Sequence, residues 1–396
     1  MIGSQQPLAR RYDVALLDLD GVVYVGEQPV AGAPQALAAA REAGMRLAFV
    51  TNNASRTPGQ VAELLHRVGV PADADEVVTS AQAAAHYLAD RLPPGAPVLV
   101  LGTTGLIEAL TERGLKPVFS AEQDPAAVVQ GFFPGLDWPA LAEGAVAIGR
   151  GVPWLATNLD ATVPSPRGPL PGNGSLVAAL RHATGQTPAA TGKPDPAMHA
   201  ESVERSKARH PVVVGDRLDT DIEGARRAGC DSLLVLSGVT DAAKLLTAEA
   251  LHRPDYLGHD VSALLHGHPE VAVTDQLVSC GSARVELHGD ELLLSGVPSD
   301  GVASDGVASD GVASDGVASD GVASDGAARD GAARDGAARD GAAPGGAGSD
   351  GLDGLRALAV AGWRLLDTGV AVGPVRGADA PSTRLIQQLG LGHAAG

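Results

Sequence analysis

The chain has 396 residues, 44% of them hydrophobic and only 3% aromatic, and a formal charge of -18. Its length and apolar content allow two or three domains with sizeable cores, while the acidic balance and the shortage of rings for base stacking argue against nucleic acid or an anionic membrane as partner. No stretch reaches the roughly 18 continuous apolar residues that span a bilayer, and residues 1–11 lack the apolar core of a signal peptide, so a cytoplasmic protein is expected.

The first apolar run, 12–17, ends in Asp18-Leu19-Asp20-Gly21 and reads as a buried parallel strand. Residues i and i+2 of an extended chain point the same way, so Asp18 and Asp20 can face one substrate. One carboxylate can then act as nucleophile and the other can handle protons, provided a cation screens their repulsion. A helix is expected over 32–43. The next strand, 46–51, ends in Thr51-Asn52-Asn53 before a helix at 58–68; a hydroxyl and backbone N–H groups there suit a phosphoryl oxygen, and the bland alternative is a turn or helix cap.

Residues 84–187 repeat the strand and helix alternation on their own, with strands expected at 98–101, 126–130 and 154–157. The chemistry-bearing segments lie before and after this block, so it reads as an inserted α/β cap over the site. Its loops 131–137 and 158–173 are the ones that could face a leaving group. Gly192-Lys193-Pro194 follows, where Gly permits close approach and Pro fixes the exit of the chain, holding an ammonium at a chosen point. The strand 212–216 then closes on Asp216, a fitting place for a magnesium ligand. Beyond it, Asp221 could hold a water or Lys193, Asp219 reads as a turn residue, and Thr220 is a cap candidate for a helix at 220–228. Another strand is expected at 232–237. Cys230 and Cys280 lack the spacing of a metal knuckle or disulfide framework.

From Gly296 the composition collapses into five copies of Gly-Val-Ala-Ser-Asp and three of Gly-Ala-Ala-Arg-Asp. A five-residue period sustains neither a helical nor a strand face, so 296–350 is expected to be a disordered linker. Its flanks, a hairpin at 285–294 and a helix at 352–366, are expected to pack as a small C-terminal α+β domain spanning 266–295 and 351–396.

Asp-x-Asp-Gly, Thr-Asn, Gly-Lys-Pro and Gly-Asp-x-x-x-Thr-Asp, in this order, resemble the motifs of the haloacid dehalogenase superfamily, in particular its phosphatases with a large α/β cap. Segments 51–57, 77–85, 171–175 and 214–225 look like the actinobacterial D-glycerol 3-phosphate phosphatases, which add a C-terminal domain similar to half of an acetyltransferase. The resemblance implies a Rossmann-like parallel-sheet core (1–83 and 188–265), a cap (84–187) and a Mg2+-dependent phosphatase acting on a small phosphate monoester. Asp18 would be the nucleophile and Asp20 the proton donor and acceptor. Thr51, Asn52 and Lys193 would clamp the phosphate, with the metal on Asp18, the Asp20 carbonyl and Asp216, and Asp221 behind them. Glycerol 3-phosphate is the expected substrate, with phosphoglycolate, pyridoxal phosphate, nucleotide monophosphates and aryl phosphates as rivals; a catalytically retired scaffold is the alternative of another class.

Overall fold

The computed structural model describes residues 1–163, 167–168, 170–299 and 350–392. Six parallel strands form the main sheet in the order Tyr256–Gly258, Asp231–Val235, Pro211–Gly215, Val14–Leu17, Arg46–Thr51, Val77–Thr79. Val14–Leu17 is central and wholly buried, with Ala15 and Leu17 facing one apolar cluster and Val14 and Leu16 another. A continuous apolar run is what a strand covered on both faces requires, and each fully buried Leu contributes about 1.5–3 kcal/mol. Leu17 lies opposite Val214 on one side and Phe49 on the other. That register brings Asp18, Thr51 and Asp216 to one carboxyl edge, where ligands of open parallel sheets bind.

A second parallel sheet runs Ala189–Ala190, Trp154–Ala156, Ala127–Gln130, Pro97–Leu101, Lys116–Val118. Its edge strand Ala189–Ala190 lies just past the expected cap boundary at 187, and the helix Ser80–Ala89 runs through the one at 84. Helix Pro58–Arg67 begins with a reciprocal cap: Thr57 accepts from the Gln60 N–H, and the Gln60 side chain accepts from the Thr57 N–H. The alternative of Thr51 or Asn52 as its cap therefore falls away. Thr220 does not cap a helix either. It sits in a wide turn, Leu218–Ile222, and the helix starts only at Glu223.

The C-terminal unit is a five-stranded sheet, Val271–Val273, Leu277–Cys280, Ala283–His288, Glu291–Ser295 and Val375–Gly377, antiparallel except for its last pair. Helix Asp353–Asp367 lies across it and shares one apolar cluster with Ile222, Leu234, Leu245 and Leu257 of the main-sheet unit. The expected linker proves too wide at both ends. Val297 is buried in that cluster, and Asp350 pairs with Arg356. The rest of that expectation, 300–349, lies outside the described residues. Among the described residues no helix is long and apolar enough to cross a membrane.

Candidate active site

A cavity of about 470 Å³ opens at the carboxyl edge of the main sheet, beneath the second one. Asp18, Asp20, Thr51, Asn52, Lys193 and Asp216 line it from below. Phe132, Asn158, Asp160, Thr162 and Asn173 line it from the inserted unit.

The Lys193 ammonium is buried and has three acceptors: Asp18, Asp221 Oδ1 at 2.7 Å and the Val50 carbonyl at 3.2 Å. Burial pulls its pKa down, but Asp18 and Asp221 overcome this and hold it above the ordinary lysine value. Burial pushes the Asp18 carboxyl well above the carboxylate range. Lys193 opposes that rise, and Asp221 and Asp216 add to it. One ammonium among three carboxylates leaves a surplus of negative charge, which favours a further cation. Asp221 spends both oxygens on protein, one on Lys193 and the other on the Arg217 N–H at 3.1 Å. Asp219 is an exposed partner of Arg217.

Asp216 is wedged between two glycines. A Cβ at Gly238 would stand 2.0 Å from its Oδ2, and one at Gly21 2.7 Å, with Gly21 also at φ +84°. Side chains at either place would expel the carboxylate. Its Oδ2 accepts from the Val239 N–H at 2.7 Å, while Oδ1 is buried with no hydrogen-bond partner. Burial, then Asp221, pushes Asp216 up to about 6. Asp18, Asp216 and Asp221 each offer an oxygen, all within 4.8 Å of one another. An orphaned carboxylate oxygen within an all-oxygen donor set fits a hard divalent cation.

Asp20 stands at the rim. It meets solvent, yet the surrounding walls raise its carboxyl above the ordinary range, with Arg56 and Lys193 pulling the other way. Thr51 is buried, and its Oγ accepts from the Asn53 N–H at 3.2 Å.

Asn52 lines the cavity, and its side chain is turned to the Lys193 loop. Its Oδ1 accepts from the Lys193 N–H at 2.8 Å, and its Nδ2 donates to the Lys193 carbonyl at 3.1 Å and to the Asp160 carboxylate at 3.2 Å. The amide N–H groups are thus committed to protein. Asp160, Asn158 and Asn173 escaped individual notice in the sequence, although Thr157-Asn158 follows strand Trp154–Ala156 as Thr51-Asn52 closes Arg46–Thr51. The same strand-end polar pair marks both.

Residues 15–116 match the haloacid dehalogenase-like hydrolase family, and 190–264 match a HAD-hydrolase-like family. The chain is 50% identical over 269 residues to D-glycerol 3-phosphate phosphatase of Mycobacterium tuberculosis, covering 68% of this chain and 75% of that protein. It is 36% identical over 233 residues to acid sugar phosphatase of Staphylococcus aureus, 58% of this chain and 89% of the other. The crystal structure of the M. tuberculosis glycerol phosphate phosphatase in complex with magnesium is similar with a TM-score of 0.77 and 38% identity, over 98% of this chain and 99% of that one. The chain belongs to the haloacid dehalogenase-like hydrolases. Within them it is a phosphatase, a phosphoric monoester hydrolase.

Proposed function

We propose that the chain hydrolyses a small phosphate monoester, glycerol 3-phosphate first among candidates, through an aspartyl phosphate on Asp18. The observation that carries the chemistry is the convergence of Asp18, Lys193, Asp216 and Asp221 under one roof, with Asp20 at the rim. The substrate is supported by the 50% identity to a D-glycerol 3-phosphate phosphatase.

In this reading an Asp18 oxygen attacks phosphorus while Asp20, whose raised pKa suits a proton donor, protonates the departing alkoxide. Asp20 then takes a proton from the water that clears the acyl phosphate. The Lys193 N–H now aimed at Asp18 turns to a phosphoryl oxygen, and the Thr51 hydroxyl donates to a second. Asp18, Asp216 and the Asp20 carbonyl would hold Mg2+, which when bound offsets the negative charge of phosphate and carboxylates. Asp221 keeps Lys193 in place.

The same reading divides the chain into a core, a cap whose sheet ends with Ala189–Ala190, and a C-terminal unit that takes in Val297 and Asp350. The last is similar to half of an acetyltransferase in resemblance only, and it serves here as packing for the core.

Initial rates of phosphate release from glycerol 3-phosphate, sugar phosphates, phosphoglycolate, pyridoxal phosphate, nucleotide monophosphates and p-nitrophenyl phosphate, with Mg2+ and with chelator, test this. A preference for glycerol 3-phosphate that vanishes with chelator is expected. Equal rates across the panel would replace the substrate with a broad class, and no release from any ester would overturn the hydrolytic reading for this chain.

A further inference from the structure

Asn52 is the place where four segments meet. Its own strand end supplies the carbonyl that accepts from Ser80 Oγ at 2.6 Å and from Asn158 Nδ2 at 2.7 Å. Its side chain grips the Lys193 backbone at both N–H and carbonyl. The remaining amide N–H reaches across to Asp160, 108 residues away on the inserted unit. Asn158 is in turn held from above, its carbonyl accepting from Asn173 Nδ2 at 2.8 Å. The crowding explains Gly192: a Cβ there would stand 2.3 Å from the Thr157 carbonyl oxygen, 2.8 Å from Asn52 Oδ1 and 2.9 Å from Asn158 Cβ.

We infer that Asn52 and Asp160 form a clasp between cap and core that positions Lys193, so that seating the cap and delivering the ammonium to Asp18 are one event. The inference rests on the phosphatase reading above, and it makes Asn52 and Asp160 positioning residues that touch no reacting atom through their side chains. Asp160 is well suited to the task. A carboxylate accepts from a neutral amide more strongly than a carbonyl does, and the Asn52 amide N–H groups reach both the Lys193 carbonyl and the Asp160 carboxylate. Without the clasp the Lys193 loop is attached at fewer points, and misplacing a charge by about 1 Å is enough to cost rate.

The test is a kinetic comparison of N52A, D160A, their double variant, N52D and N52D/D160N, with glycerol 3-phosphate and p-nitrophenyl phosphate as substrates and thermal midpoints as the check on folding. D160A is expected to lower kcat about tenfold on both esters while KM moves less than about threefold, and the double variant should be little worse than N52A alone, as for groups acting as one unit. N52D sets two carboxylates face to face, turns an acceptor toward the Lys193 carbonyl and should lose most activity; N52D/D160N restores the donor–acceptor match to residue 160 alone and should recover about threefold or more over N52D. The exchange keeps the idea testable should either alanine variant fail to fold. Losses that simply multiply in the double variant, an effect of D160A on KM alone, or no recovery in the exchange would each overturn the clasp. Wild-type protein inactive on every ester would instead sink the reading it rests on.

Discussion

Lys193 Nζ donates to Asp221 Oδ1 at 2.7 Å inside a pocket where both side chains are almost free of solvent, and the same ammonium touches Asp18. A buried ion pair is costly to break because the surviving charge is left without water or partner. K193A therefore removes the cation from a site that keeps its carboxylates. We expect kcat to fall roughly a hundredfold or more, with D221N losing less because the lysine stays while its anchor weakens. Single-turnover phosphate release checks both, and a K193A rate equal to wild type would return Lys193 to a structural role.

Asp18 and Asp216 should separate in their response to metal. D18N removes the proposed nucleophile and is expected to be inactive at any Mg2+ concentration. D216N keeps one oxygen and the Asp18 carboxylate, so it should regain part of its rate when Mg2+ is raised, with the half-saturating concentration up about tenfold or more. Titrating activity against Mg2+ for the two variants distinguishes them. Equal metal dependence in D216N and wild type would remove Asp216 from the ligand set.

The motifs of Asp18, Thr51 and Asp216 were legible because each closes an apolar run, and runs of Val, Leu and Ala buried on both faces have one reading, a parallel strand whose polar residues collect at its carboxyl end. Register then does the assembly: Leu17 opposite Val214 and Phe49 leaves Asp18, Asp216 and Thr51 no choice of edge. Asn52 was not legible in the same way. Its hydrogen bonds depend on how closely Gly192 approaches, and closeness between residues 140 positions apart leaves no periodic trace. Short strands such as Ala189–Ala190 and Val77–Thr79 carry too few residues to show a pattern. Val297 was lost in the composition of the repeat that follows it, because its burial depends on the turn at Gly296, φ +73°, that ends strand Glu291–Ser295 and brings it to the cluster.

Arg356 is the least expected part of the core. It is 2% exposed on the helix that joins the C-terminal unit to the main sheet, and it donates to Asp350, Asp353 and the Leu257 carbonyl. R356M keeps the apolar stem and deletes the charge, leaving two carboxylates and a carbonyl short of a donor. Stability is expected to fall by about 3 kcal/mol, read as a lower urea midpoint with little change in slope. Because Trp363 of the same helix donates to the Leu245 carbonyl at 2.8 Å, the loss should appear in the melting of the whole molecule and not as a separate early transition.

Asp350 gives that pair a pH dependence. Burial pushes its carboxyl up, but the hydrogen bond and charge of Arg356 outweigh burial and hold it below the ordinary range. A folded-state pKa below the unfolded one means stability that is fully present above the unfolded value, roughly 3.9 for Asp, and lost as pH falls through the folded value. D350N lacks this contribution at every pH. The gap in urea midpoint between wild type and D350N should therefore be constant from neutral pH down to about 5 and close progressively below about 4. A gap that persists unchanged at the acid end would show that Asp350 acts by shape and hydrogen bonding alone, with Arg356 drawing its compensation from Asp353.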